Sequence, residues 1–301
     1  MSLQRLPESM NDLSIVIPAY NEEASLKALL PELIGFVQFN GLQLIIVDDG
    51  SNDGTLDVLK AQEGSESFKY ISHKVNRGYG GAIKTGVRSA TTKYVITIDA
   101  DGQHDLNDVL SLNQQIKETD ADMIVGSRMA HKDASVYRGV GKWLIRSFAK
   151  LLLPIHIDDI NSGMKIYNTE MAKRYIRLCP DHMAYSDIIA MVFISKRHLV
   201  LETPINIKPR TAGESTISTL TAIDTVKEIL NIVILFNPMR VFFPIAILSV
   251  VAALAWGIPI ALRGRGVSTG AMLGLTTGLL FFFLGLIAEQ LSQIRKDSVD
   301  E

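Results

Sequence analysis

The chain of 301 residues contains a single cysteine, Cys179, so neither a disulfide framework nor a cysteine zinc cage can be built within it. Its six histidines show no metal-ligand spacing. There is no basic excess either. The 30 Lys and Arg against 32 Asp and Glu leave a formal charge of −2, which excludes the electrostatic footprint of a nucleic-acid binder. Two familiar phosphate signatures are missing. A GxGxxG motif begun at Gly78 would need glycine at 83, where Ile83 stands, and a P-loop would need lysine after Gly86, where Val87 stands. Met1 to Leu13 is polar and lacks the apolar run of a signal peptide, so the N-terminal part is expected in the cytosol.

Long uncharged runs are present, but only near the end. Val241–Leu262 and Val267–Ala288 are each 22 residues without a charge, and Arg240 and Arg263 bracket the first. At 1.5 Å per residue each helix would span about 33 Å, enough for a bilayer core of about 30 Å. A buried core helix pair is the plainer alternative, and two such runs in succession disfavour it. Before them, Ile217, Leu220, Ile223, Val226, Ile229, Leu230 and Val233 recur at helical spacing, which predicts an amphipathic helix at the membrane surface. Lys227, Arg240, Arg295 and Lys296 against Arg263 and Arg265 in the turn fit a cytosolic position for both termini. Gly270, Gly274 and Gly278 form a packing stripe through which copies of the chain could also associate.

The rest of the chain alternates apolar strands with helical patterns. Strands are expected at Leu13–Ile17, Leu42–Val47, Phe68–Ser72, Tyr94–Ile98 and Asp122–Val125, and helices at Ala24–Phe39, Thr55–Ala61 and Asp105–Ile116. Pro31 should weaken or kink the first helix. This order specifies an α/β class, a doubly wound and mostly parallel sheet. Further on, a helix is expected at Gly139–Leu153, a short strand at Met164–Tyr167, a helix at Tyr185–Lys196, a strand at His198–Ile207 and a loop at 209–216.

Such sheets bind ligands at the carboxyl ends of their strands. The strand Tyr94–Ile98 runs directly into Asp99-Ala100-Asp101, which places two carboxylates at that edge. Oxygen donors select Mg²⁺ or Mn²⁺, and such ions keep positions for phosphate. A bare polar turn is the bland reading of the same residues. The second strand delivers Asp48 and Asp49 to the same edge, where one acid can accept hydrogen bonds from a base or ribose. Ser51 stands beside them, with helix capping as its plainer role. Lys84 and Arg77 are the cations available to phosphates after the third strand.

Several segments then stand in a familiar order: Ile17-Pro18-Ala19-Tyr20-Asn21-Glu22, Asp48-Asp49-Gly50-Ser51, Asn76-Arg77-Gly78-Tyr79-Gly80-Gly81, Asp99-Ala100-Asp101-Gly102-Gln103-His104 and Gly126-Ser127-Arg128. Together they resemble the family 2 glycosyltransferases of GT-A fold. Asp159-Ile160-Asn161-Ser162-Gly163-Met164-Lys165 and Arg210-Thr211-Ala212-Gly213-Glu214-Ser215 resemble the acceptor side of the dolichyl-phosphate mannose synthase branch. The terminal hairpin is similar to that of bacterial polyprenyl-phosphate glycosyltransferases of the GtrB and ArnC kind. The resemblance implies that Pro18, Tyr20, Glu22 and Asp49 frame the nucleotide, and that Asp99, Asp101 and Gln103 hold the metal. It also implies that Arg128 and Arg210 approach the phosphates, with Lys165 and Asp159 near the acceptor. Thr216 departs from the pattern, since many members carry lysine there.

The expected organisation is a cytosolic GT-A domain at 1–215, a juxtamembrane helix at 216–240 and two membrane helices, 241–262 and 267–288, within 241–301. The expected reaction is inverting transfer of a sugar from a UDP- or GDP-sugar to polyprenyl phosphate. A lipid monophosphate has a second pKa of about 6 and is already a nucleophile at neutral pH. Asp159 is therefore weighed as an orienting group against a general base. The alternatives are a membrane-anchored nucleotide-sugar-binding protein without turnover and a polysaccharide synthase. The latter needs a Gln-x-x-Arg-Trp segment, and neither Trp143 nor Trp256 sits in one.

Overall fold

The structure is a computed structural model, and residues 12–128, 157–208, 230 and 233–297 are described. They fall into two compact units, one up to residue 208 and one from residue 230 onward.

The first unit is built on a seven-stranded sheet. Its strands are β1 (Leu13–Ala19), β2 (Gln43–Asp48), β3 (Phe68–Ser72), β4 (Tyr94–Thr97), β5 (Met123–Ser127), β6 (Lys165–Asn168) and β7 (Val200–Pro204), in the order β3-β2-β1-β4-β6-β5-β7. The helices are α1 (Glu23–Asn40), α2 (Thr55–Lys60), α3 (Tyr79–Ser89), α4 (Leu106–Thr119), α5 (Thr169–Tyr175) and α6 (Tyr185–Ser195). β1 and β2 are buried along almost their whole length, which explains their continuous apolar sequence. Leu26, Leu30, Leu33 and Val37 are the buried stripe of α1, packed into the core with Leu13, Ile15, Ile17, Leu44 and Ile46.

Chain order and sheet order diverge at two places, at β1 and where β6 enters between β4 and β5, and the first of these shapes the site. The chain moves from β1 outward through β2 to β3, then returns to pair β4 on the other side of β1. That reversal opens a crevice at the carboxyl ends of β1 and β4, where ligands bind in open α/β sheets. Pro18–Glu22 leaves one side of it and Asp99–Asp101 the other.

Some expectations change. Pro31 does not interrupt α1, because it lies on the exposed face, and the helix runs on to Asn40, where Gly41 caps it in the left-handed region at φ 64°. The short strand near 164–167 is β6. It runs antiparallel between β4 and β5 and so makes the sheet mixed. The strand expected over 198–207 is shorter, Val200–Pro204, and pairs in parallel with β5. α5 had no sequence expectation. The expected helix at 139–153, the loop at 209–216 with Arg210, and most of the juxtamembrane helix lie outside the described residues.

The second unit contains α7 (Met239–Leu262) and α8 (Thr269–Asp297), both long and apolar enough to cross a membrane. α8 continues well beyond Ala288, where the uncharged run stops. The two helices pack on each other through small residues. A Cβ at Gly274 would meet Ala253 Cβ at 2.8 Å, and one at Gly278 would meet Val250 Cγ2 at 2.6 Å. The stripe read from the sequence is thus used within the hairpin at these two positions. At Gly270 the same test meets nothing closer than 3.7 Å.

Candidate active site

The loops after β1 and β2 form one stitched rim. Asn21 N–H donates to Ser51 Oγ (2.9 Å), Asn52 N–H to Asn21 Oδ1 (2.8 Å) and Glu22 N–H to Thr55 Oγ1 (2.9 Å). Asp53 serves both helix starts, accepting from Thr55 N–H and from Glu23 N–H. Pro18 is buried at the end of β1, and Tyr20 is 44% exposed above it. Glu22 accepts from Ser25 Oγ at 2.7 Å.

The two acids at the end of β2 are placed differently from the nucleotide contact expected of Asp49. Asp48 accepts from Ser51 N–H and Ser72 Oγ. Asp49 lies 2.6 Å from His73 Nδ1 and accepts from the backbone N–H groups of Arg77 (2.9 Å) and Gly78 (2.8 Å). Both side chains are buried and shape the loop between β3 and α3. The glycines of that loop also serve packing. A Cβ at Gly78 would strike the Asp181 carbonyl oxygen, to which Gly81 N–H donates at 3.0 Å. Lys84, expected on a phosphate, donates instead to the Cys179 carbonyl and to Asp181 Oδ1, and is buried. Its ammonium ties α3 to the segment before α6.

The acids after β4 sit at the crevice. Asp99 Oδ1 accepts from Tyr79 Oη at 3.0 Å, and Oδ2 lies 3.5 Å from His104 Nε2. Gly163 backs directly onto the same carboxylate, and any Cβ there would overlap Asp99 Oδ2. Burial pushes the Asp99 carboxyl up, but His104, Tyr79 and the positive charge of Arg128 outweigh it and hold the carboxyl below its ordinary value. Asp101 accepts from Gln103 N–H at 3.1 Å. The loop is then pinned to the chain beyond β7. Lys208 N–H donates to the Gln103 carbonyl at 2.8 Å, and His104 forms an antiparallel bridge with Ile207.

The segment after residue 157 closes the other side. Arg128, just past β5, grips Asp159 in a fork: Nε to Oδ2 at 2.9 Å, NH2 to Oδ1 at 2.9 Å, with the Arg128 N–H also on Oδ2 at 2.9 Å. Burial raises the Asp159 carboxyl, and Arg128 more than reverses this, so it stays ionised below the usual carboxylate range. Lys165 is buried beneath the acids and donates to the Ser162 carbonyl. Burial drives its ammonium down to about 8, against the pull of Asp187, Asp159 and Asp99.

Of the residues expected in a site, the structure therefore brings Asp99, Arg128, Asp159 and Lys165 together, with Asp101 and Gln103 on the adjoining loop. Tyr79, His104, Gly163 and Glu202 join them without having been singled out as site residues. Arg210 lies outside the described residues. Asp99, Asp101 and Gln103 offer oxygen donors only, which fits a hard divalent cation. Among the described residues no cluster of three or more His, Cys, Asp or Glu forms a cage, so other ligand positions would fall to water or to a bound phosphate.

Residues 14–176 match glycosyl transferase family 2. The chain belongs to that family. Residues 237–294 match the GtrB C-terminal hairpin. The chain is 26% identical over 306 residues to an undecaprenyl-phosphate 4-deoxy-4-formamido-L-arabinose transferase of Yersinia enterocolitica, covering 96% of this chain and 91% of the relative. It is 30% identical over 181 residues to a dolichyl-phosphate beta-glucosyltransferase of Dictyostelium discoideum, with 54% of this chain aligned and only 55% of that relative's length spanned. Glucosyl-3-phosphoglycerate synthase from Mycobacterium tuberculosis, solved with Mn²⁺ and UDP-glucose, superposes with a TM-score of 0.54 at 17% identity over 73% of this chain and 79% of that one. At that identity the likeness establishes the fold, a GT-A sheet, and nothing finer.

Two predictions follow from this geometry. Gly163→Ala should displace the Asp99 carboxylate and weaken Mn²⁺ binding about tenfold, read as the metal concentration needed to raise the thermal unfolding midpoint. The Arg128–Asp159 pair should contribute stability that is complete above the ordinary Asp value of about 3.9 and lost as pH falls through the lowered folded value. Unfolding midpoints of Asp159→Asn should accordingly fall less steeply than wild type as pH drops below about 4.

Proposed function

We propose that this protein transfers a sugar from a nucleotide-sugar donor, UDP- or GDP-linked, to polyprenyl phosphate, with inversion, at the cytosolic face of a membrane. The observation that carries the reading is the meeting of the acids after β4 with Gly163 and the Arg128–Asp159 fork, in a chain that also has two helices long and apolar enough to span a bilayer. The near full-length likeness to an undecaprenyl-phosphate sugar transferase supports the acceptor class. In this reading the catalytic part is 1–215, residues 216–240 lie along the membrane, and 241–301 form the hairpin with both termini cytosolic.

Asp99, Asp101 and Gln103 would hold Mg²⁺ or Mn²⁺ on the donor diphosphate. When bound, such an ion supplies Lewis-acid stabilisation of the charge that grows on the leaving group. Pro18, Tyr20 and the rim around Ser51 flank the nucleotide, with Glu22 part of that rim and Asp49 fixing the loop between β3 and α3. Arg128 keeps its guanidinium beside the diphosphate because Asp159 fixes its orientation. Asp159 is then an orienting anion, since three hydrogen bonds from Arg128 already occupy its carboxylate. A polyprenyl phosphate arrives as an anion and gives up no proton on attack, so no base is required of it. Arg210 and Lys165 complete the positive surroundings of the acceptor phosphate.

The test uses full-length protein in nanodiscs with Mn²⁺ or Mg²⁺, radiolabelled UDP- and GDP-sugars, and undecaprenyl or dolichyl phosphate. One donor should give a butanol-extractable labelled lipid. Asp101→Ala should abolish that product while leaving the unfolding free energy of the metal-free protein within about 0.5 kcal/mol of wild type. Nucleotide binding without any lipid product would turn the reading toward a binding protein, and full activity in Asp101→Ala would remove the metal role.

A further inference from the structure

The segment that carries Asp159 is held from two directions. Its side chain is held by Arg128, as described. Its main chain is held by Glu202, a residue of β7 that no motif marks. The Glu202 carboxylate accepts from two successive backbone N–H groups, Oε2 from Asp158 at 2.8 Å and Oε1 from Asp159 at 2.9 Å. β7 lies in parallel register with β5, with Glu202 opposite Val125 and Thr203 opposite Gly126, and Arg128 follows at the end of β5. One pair of adjacent strands thus supplies both grips on the same turn.

We propose that Glu202 is a positioning residue for the transfer reaction, acting through Asp159 to aim the Arg128 guanidinium. This rests on the transferase reading given above. The physical case is one of acceptor geometry. Two adjacent N–H groups pointing the same way need two acceptors, and a carboxylate presents two equivalent oxygens with charge-assisted strength. An amide presents one, and its NH2 would oppose the second N–H, leaving that donor unpaired. Release of the Asp158–Asp159 main chain shifts the anion that holds Arg128. The same segment runs on through Asn161, whose carbonyl accepts from Arg128 NH2 at 3.3 Å, to Gly163 against Asp99. The spacing between the guanidinium and the metal-side carboxylate is therefore set by a strand residue that touches neither substrate.

The experiment compares wild type, Glu202→Gln, Asp159→Asn and the double variant, all full length in nanodiscs. The donor is the nucleotide sugar that passes the lipid-product assay, and the acceptor is undecaprenyl phosphate. Glu202→Gln should lower kcat about tenfold or more with KM for the donor unchanged, and the double variant should match Asp159→Asn within about twofold. Wild-type kcat in Glu202→Gln, or single losses that multiply in the double variant, would overturn the proposal. A second readout needs no turnover: hydrogen exchange of the Arg128 side-chain Nε–H, followed by ¹⁵N NMR. It should accelerate in both single variants, and unchanged exchange in Glu202→Gln would overturn the proposal even if wild type itself makes no lipid product. Absence of product in wild type alone counts only against the transferase reading.

Discussion

The carboxylate of Asp99 is the point on which the rest of the catalytic unit closes. Tyr79 reaches it from the start of α3, His104 from its own loop, and Gly163 from the turn before β6, while Arg128 supplies positive charge from the end of β5. These groups are far apart in the chain, and the sheet order makes them neighbours. β4 pairs with β1 on one side and β6 on the other, so the crevice opened by the reversal at β1 and the turn that leads into β6 share a wall. A carboxylate taken partly out of water needs donors beside it. Here Tyr79 and His104 supply them and Gly163 leaves the room, so accommodating this half-buried acid acts as a constraint on the assembly of elements distant in the chain.

That constraint explains how much could be read from the sequence. β1, β2, β4 and β5 announce themselves because buried strands are near-continuous apolar runs, β3 does so more weakly because Lys69 and Ser72 are exposed, and Asp99 and Asp101 announce themselves because they break such a run at its carboxyl end. The end of α1 at Gly41 follows a similarly local rule, since a helix stop at positive φ calls for glycine. β6 was legible as a strand but not as an antiparallel insertion, because strand direction is decided by partners rather than by local pattern. The prolines show the same limit: Pro31 sits harmlessly on the exposed face of α1, and burial of a face is a tertiary fact.

The roles of single polar residues were the least legible. Asp49 and Lys84 stand in segments that look made for a nucleotide, yet both are spent inside the protein, Asp49 on His73 and two backbone N–H groups, Lys84 on Cys179 and Asp181. A charged side chain near a glycine-rich turn has two uses, holding a ligand or holding the turn, and composition does not distinguish them. Glu202 errs in the opposite direction. A lone glutamate in a short strand before Pro204 carries no signal, because its partners are main-chain N–H groups that every residue except proline possesses.

The state of Asp159 bears on how the acceptor reacts. A general base needs a free lone pair aimed at the proton it takes and a pKa near the working pH. Asp159 is poorly matched to both needs, since Arg128 donates to both of its oxygens and holds it below the ordinary carboxylate range. A hydroxyl acceptor would therefore meet no prepared base at this residue, whereas a phosphate monoester needs none. Its requirement is the reverse: positive charge to draw an anion toward a donor diphosphate that repels it. Arg128 with its orientation fixed, and Lys165 held nearby in a buried setting, meet that requirement. The ion pair that disqualifies Asp159 as a base is thus the arrangement that suits an anionic acceptor, and the two apolar helices of the same chain fit a lipid as its carrier.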